Sequence, residues 1–181
     1  DIKIIDVSHI IFYENSLEKF GRLTESYLSP VTVDFKFFKN SLRTWSGFKL
    51  HIQNQILKEL GDEFRGEFHF AEHHASHAAS AFFPSPFKET AILTLDAVGE
   101  WSTCSLGYGK GNEIRLIKEM RFPHSLGMLY SAFTYYCGFK VNSGEYKLMG
   151  LAPYGTPKYA DLIRRHLVAI YDDGSMHMDM T

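Results

Sequence analysis

Cysteine is scarce in this chain: Cys104 and Cys137 are the only two among 181 residues. Two cannot make a disulfide framework. Both lie in apolar sequence, so we expect buried free thiols in a reducing compartment, the cytoplasm. A dominant charge is also missing. The 19 Lys and Arg stand against 21 Asp and Glu, giving net −2 and a pI near 6.5. A nucleic-acid partner usually leaves a basic stripe; none is visible, and none is expected to bind. There is no apolar run of about 18 residues and no basic-then-apolar leader, so we expect neither a membrane span nor export.

Opening and closing signals are absent too. The sequence starts at Asp1 directly on the strand-like "DIKIIDVSHIIFYEN" and stops in "YDDGSMHMDMT" without a cap or closing element. We therefore expect a piece of a longer protein. Apolar strand edges left bare in such a piece could drive self-association.

What is present is 45% hydrophobic and 15% aromatic, enough to fill a core. "VSHIIFYE" is β-branched and aromatic and predicts a buried strand. "SLEKFGRLTESYL" places Leu17, Phe20, Leu23, Tyr27 and Leu28 at helical spacing, with Ser16 as N-cap and Ser29-Pro30 as the stop. Helical patterning resumes from Asp34 to Leu60, broken at Ser46-Gly47 and closed by Gly61. Residues 14–61 thus predict an amphipathic helical insertion.

After the short strand "EFHF" comes "EHHASHAAS", a helix whose face shows His73, His77, Ser80 and Ala81. The next block sets the fold. "AILTLD" is a buried strand ending in Asp96, "AVGE" a turn, "WSTCSLGYG" a second strand, "KGN" a tight turn, and "EIRLIKEMRF" a third strand with a register slip. Then "SLGMLYSAFTYYCG" predicts a helix begun by His124 or Ser125, ended by Gly138 and buried through Leu126, Leu129, Phe133 and Tyr136. An antiparallel three-strand meander followed by a helix, with an acid ending the first strand, is how each half of the actin-like (ribonuclease H-like) fold begins. The expected class is therefore mixed α/β, with residues 67–155 as the core carrying the sites.

Two constellations carry chemistry. His73 and His77, at i and i+4, can hold one metal ion, and Asp96 at the next strand's end offers a carboxylate. Zinc proteases need a glutamate beside the first histidine; His74 stands there, which excludes that class. Two imidazoles and a carboxylate suit iron(II), or less selectively manganese or zinc. Chance spacing among nine histidines is the competing reading. His74 could bind a substrate oxyanion or a backbone carbonyl. The second constellation is "NSGEYKLMGLAPYG", where glycines allow close ligand approach, Glu145 could hold a ribose hydroxyl and Lys147 a phosphate. Its competing reading is a turn-rich loop packed on its own side chains.

The stretches "HHASHAASAF", "LDAVGE", "FPHSLGMLYSAFTYYCGFKVNSGEYKLMGLAPYG" and "IIFYENSLEKFGRLTESYL" together closely resemble the O-carbamoyltransferases of the nodulation-protein and cephamycin-biosynthesis type, the NodU/CmcH family. The resemblance implies a carbamoyl transferase. A C-terminal YrdC-like domain of the same chain makes carbamoyl adenylate from carbamoyl phosphate and ATP. The N-terminal actin-like domain moves the carbamoyl group to a hydroxyl of a small-molecule or glycan acceptor, near an iron ion. It also implies His73, His77 and Asp96 as metal ligands, with a further aspartate beyond this chain. Gly99, Gly144, Glu145 and Lys147 are implied at the nucleotide, and His74 is a candidate catalytic base. Ala97 stands where the family usually has glycine, which bears on how closely a phosphate approaches the turn. By itself the piece is expected to be inactive. Other readings are an actin-like ATPase or sugar kinase, a tRNA-modifying sibling, and a non-catalytic acceptor-binding or assembly module.

Overall fold

A computed structural model describes residues 2–28 and 35–180. The expected helix stop at Ser29-Pro30 and restart at Asp34 lie outside the described residues. The chain forms two compact units, residues 1–77 and 78–181, and the division falls inside one helix, between His77 and Ala78.

The first unit is built on a parallel strand pair. β1 (His9–Phe12) lies beside β2 (Glu67–Phe70), with His9 opposite Glu67 and Phe12 opposite Phe70. A parallel pair cannot close through a tight turn; here α1 (Ser16–Leu28), α2 (Phe35–Gly47) and α3 (Ile52–Leu60) lie between its strands in sequence. α1 starts one residue away from the expected cap. Asn15 Oδ1 accepts from the N–H groups of Leu17 and Glu18, and Asn15 Nδ2 donates to Glu18 Oε1 at 3.0 Å. That reciprocal arrangement uses the glutamate that a cap at Ser16 could not reach. α1 and α2 meet through Phe20 against Trp45, with ring centroids 6.1 Å apart, and Lys49 Nζ lies 4.8 Å from the Trp45 ring centroid. The expected break at Ser46-Gly47 is where α2 ends, and the Gly61 N–H caps α3 through Leu57 O.

The second unit contains the expected meander. β3 (Glu89–Leu95), β4 (Ser102–Lys110) and β5 (Glu113–Arg121) form an antiparallel sheet in the order β3-β4-β5. The expected slip is a bulge: Leu106 pairs with Lys118 and Gly107 with Leu116, so Ile117 has no ladder partner and stays exposed. The core is small. Ala78 and Phe82, from the end of α4 (His73–Phe82), pack with Ile92, Ile114 and Leu116. β4 turns Thr103, Ser105, Gly107 and Gly109 to the buried face. On the other face Leu93, Leu95, Leu106 and Tyr108 are exposed, so β3 is buried on one side only, not on both as its apolar run suggests. The same alternation leaves Cys104 half-buried.

α5 (Leu126–Tyr136) also presents a different face from the expected one. Thr134 is fully buried while Tyr136 is 85% exposed. The reason is steric. A Cβ on Gly127 would lie 2.5 Å from the Asp96 carbonyl, so the helix approaches the end of β3 on its smallest residue, and the bulky side chains turn away. Cys137, the C-cap of α5, is exposed rather than buried, following the exposed Tyr135 and Tyr136 at the end of the helix. α6 (Glu145–Leu151), α7 (Ala160–His166) and the hairpin of β6 (Val168–Ile170) and β7 (Met176–Met178) complete the unit. Among the described residues no helix is long and apolar enough to cross a membrane.

Candidate metal and nucleotide sites

α4 starts directly after β2, and its first turn carries three imidazoles. His74 is buried, on the same helical stripe as Ala78 and Phe82 at i+4 and i+8. His73 is half-buried and His77 exposed on the adjoining face. Their rings stand edge to face with centroids 4.6 Å apart, and Nε2 of one is 3.1 Å from Nε2 of the other. A tetrahedral ion with metal–nitrogen bonds of about 2.0–2.1 Å separates two ligand nitrogens by about 3.3–3.4 Å. The two nitrogens are within hydrogen-bonding distance of each other, a separation close to ligand spacing.

Behind His73 stands a residue that sequence reasoning did not single out. Glu14, just after β1, places Oε2 3.6 Å from His73 Nδ1 and 2.5 Å from Lys19 Nζ. At 3.6 Å the contact is electrostatic and not a hydrogen bond; a carboxylate that closes on this nitrogen fixes the tautomer of a ligating histidine. The only local signal for it was an acid closing the strand-like segment "VSHIIFYE". Tyr13 joins the same group, its ring centroid 5.8 Å from that of His73. Burial first, and the Glu14 carboxylate second, hold its phenol above the ordinary range.

In the second unit Asp96 follows β3. Its N–H donates to Thr103 O, and its Oδ1 accepts from the Ala97 N–H at 2.6 Å. The turn closes through the buried Gly99, whose N–H donates to Ser102 O at 2.8 Å. Ser125 locks this turn to the next helix. Its hydroxyl donates to Ala97 O at 2.6 Å, with Asp96 O at 3.2 Å, and accepts from the Met128 N–H as the N-cap of α5. Thr103 Oγ1, equally buried, donates to His124 O at 2.5 Å. The acid at the strand end, the D-x-x-G turn and the helix start thus form one rigid assembly.

Glu145 opens α6, and its carboxylate is engaged by the chain around it. Oε1 accepts from the Asn142 N–H at 3.0 Å and from Ser131 Oγ at 3.1 Å, and Oε2 from the Gly144 N–H at 3.2 Å. These bonds, the Asn142 N–H foremost, hold its pKa below the usual glutamate range. They also brace Asn142 at φ 67, a conformation asparagine tolerates better than most residues. Gly144 is needed for packing: a Cβ there would lie 2.6 Å from Lys140 O. Lys147 is exposed, one turn into the helix. The structure thus brings Gly144 and Glu145 together as a self-bonded loop and leaves the Lys147 amine outside it.

The comparisons with known proteins fit these motifs. The family model described as carbamoyltransferase N-terminus matches residues 1–181. The chain is 51% identical over 185 residues to the uncharacterized protein sll1178 of Synechocystis, covering 99% of this chain and 30% of that protein. It is 39% identical over 110 residues to nodulation protein NolNO of Sinorhizobium fredii, covering 60% of this chain and 16% of that one. It is 40% identical over 117 residues to the uncharacterized protein MJ1058 of Methanocaldococcus jannaschii, covering 56% of this chain and 19% of that one. The chain spans at most about a third of the length of these relatives. With a match that runs from its first residue to its last, it belongs to the carbamoyltransferase N-terminus family.

Proposed function

We propose that this chain is the acceptor-side part of a metal-dependent O-carbamoyltransferase, and that His73, His77 and Asp96 hold its divalent ion, iron(II) by preference. The observation that carries the reading is the pair of Nε2 atoms 3.1 Å apart with the Glu14 carboxylate behind His73. Two imidazoles and a carboxylate form the donor set that suits such an ion. Phosphoryl-transfer enzymes bind Mg²⁺ through oxygen and water instead, which sets the kinase and ATPase readings lower.

The donor is carbamoyl adenylate, made from carbamoyl phosphate and ATP by a YrdC-like domain elsewhere in the same protein, in the cytoplasm. The acceptor is a hydroxyl of a small molecule or glycan. The acceptor oxygen bonds to the carbamoyl carbon, the carbon–oxygen bond to the phosphate breaks, AMP departs and the hydroxyl proton goes to a base. A bound ion supplies Lewis acidity toward the carbonyl oxygen. The chain's own residues do the rest. Glu14 orients His73 through its far nitrogen. Ser125 fixes the turn that presents Asp96 and Gly99. The Gly144–Glu145 loop sets the start of α6, so that Lys147 can meet the departing phosphate. His74, buried beside the ligand pair, is proposed as the base.

The test is metal content of the full-length protein, wild type against His77→Ala, with carbamoyl transfer measured alongside. Near-stoichiometric metal in wild type, lost together with transfer in the variant, is the expected result. Unchanged metal and unchanged transfer would make "HHASH" a packed helix start and return the histidines to a structural role.

A further inference from the structure

The first unit holds a second set of ligating side chains that the carbamoyl-transfer reading does not use. His9 on β1 and Glu67 and His69 on β2 share one face of the parallel pair. His9 stands directly opposite Glu67, and His69 follows two positions on, where side chains return to the same face. His9 Nδ1 is 3.2 Å from His69 Nε2, and that nitrogen is 3.2 Å from Glu67 Oε2. All three ligand atoms lie within 4.8 Å of one another. Both short separations are near the ligand-to-ligand edge of about 3.3–3.4 Å around a tetrahedral zinc ion.

The backbone holds the three in place. The Glu67 N–H donates to Ser8 O at 2.8 Å just before the pair, and the Ala71 N–H to Phe12 O at 2.8 Å just after it. Immediately before β2 the chain runs so close to the residue preceding β1 that a Cβ on Gly66 would lie 2.3 Å from Ser8 O. The donors are thus carried by strands pinned at both ends, the rigid support a metal site needs. All three residues are exposed, which leaves the remaining coordination positions open to water or to an outside ligand.

We propose that His9, Glu67 and His69 form a second, accessory site for a borderline divalent ion such as Zn²⁺, tying β1 to β2. A pair of four-residue strands is marginal by itself, and a cross-strand ion would clamp its register. The proposal is independent of the site at His73 and His77.

The experiment titrates Zn²⁺ alone into the protein carrying His73→Ala and His77→Ala, by calorimetry, with melting temperature read in parallel. One retained equivalent and a higher melting temperature with Zn²⁺ are expected. Adding His9→Gln and His69→Gln, polar replacements at exposed positions, is expected to abolish both while leaving the far-ultraviolet dichroism unchanged. Glu67→Gln alone is expected to weaken binding at least tenfold. No uptake in the His73→Ala, His77→Ala protein, or uptake indifferent to replacement of His9 and His69, would overturn the proposal and reduce the three to an exposed histidine–glutamate ion pair.

Discussion

At the start of α4, His73 and His77 turn Nε2 toward Nε2 across 3.1 Å; at the start of α6, the Glu145 carboxylate accepts from two backbone N–H groups and a serine hydroxyl. Both segments open a helix with residue types that bind ligands, and both suggested a site from sequence. They differ in what the chain nearby supplies. Around Glu145 it supplies donors, so the carboxylate is consumed in shaping a loop. Around His73 it supplies the Glu14 carboxylate 3.6 Å from the far nitrogen and the His77 ring 3.1 Å from the near one. A ligating residue type is therefore read best by asking what already satisfies it.

The sharpest way to break this comparison is His77→Ala. Under the proposed reading, losing one imidazole in the full-length protein should remove the ion and lower carbamoyl transfer on the order of a thousandfold or more, since Lewis acidity contributes several kcal/mol. Transfer rates beside metal analysis check it. Glu14→Gln should act more mildly. Metal affinity is expected to fall about 10- to 100-fold, as for loss of an outer carboxylate partner, with the fold unchanged. Competition with a chelator of known affinity reads this directly. An unchanged affinity would detach Glu14 from the site.

Ser125→Ala tests the other rigid assembly. The substitution removes an N-cap from a residue only 1% exposed and leaves the Ala97 carbonyl without its 2.6 Å donor. A loss of about 1–2 kcal/mol is expected. For a chain of this size that lowers the melting temperature by about 2–8 °C.

Much of this architecture is legible in the sequence where a signal is local. The meander announces itself because its strands alternate and the Gly111-Asn112 turn lies between the last two. The break at Ser46-Gly47 and the histidine spacing on α4 read equally directly. What fails is whatever depends on partners far along the chain. β1 and β2 pair in parallel with no turn between them to mark it. Glu14 meets His73 only because those strands align. The exposed Tyr136 and the open face bearing Leu93 and Leu95 show a further limit: apolar character reports a preference for burial, not which face is covered. The choice of Asn15 over Ser16 as cap turned on one glutamate within reach of the first and not the second.

Glu145→Gln gives the smallest effect and isolates the second half of the comparison. The wild-type carboxylate is held below its usual range by the Asn142 N–H first, with its own N–H, the Gly144 N–H and Ser131 also contributing. A depressed carboxylate binds fewer protons folded than unfolded. Its contribution to stability is therefore complete above the unfolded value and disappears as pH falls through the folded one. Glutamine keeps an oxygen acceptor of the same shape but cannot titrate. At neutral pH the variant should be slightly less stable, because charge-assisted bonds to the Asn142 and Gly144 amides become neutral ones. Below the usual glutamate range the difference should close, since wild type then loses its charge as well. Denaturation curves at several acidic pH values measure this, and amide exchange at Asn142 and Gly144 locates it. Metal content should not move at all. If it did, the self-bonded loop of α6 would be coupled to the histidine pair of α4, and the two segments could no longer be read as separate uses of the same chemistry.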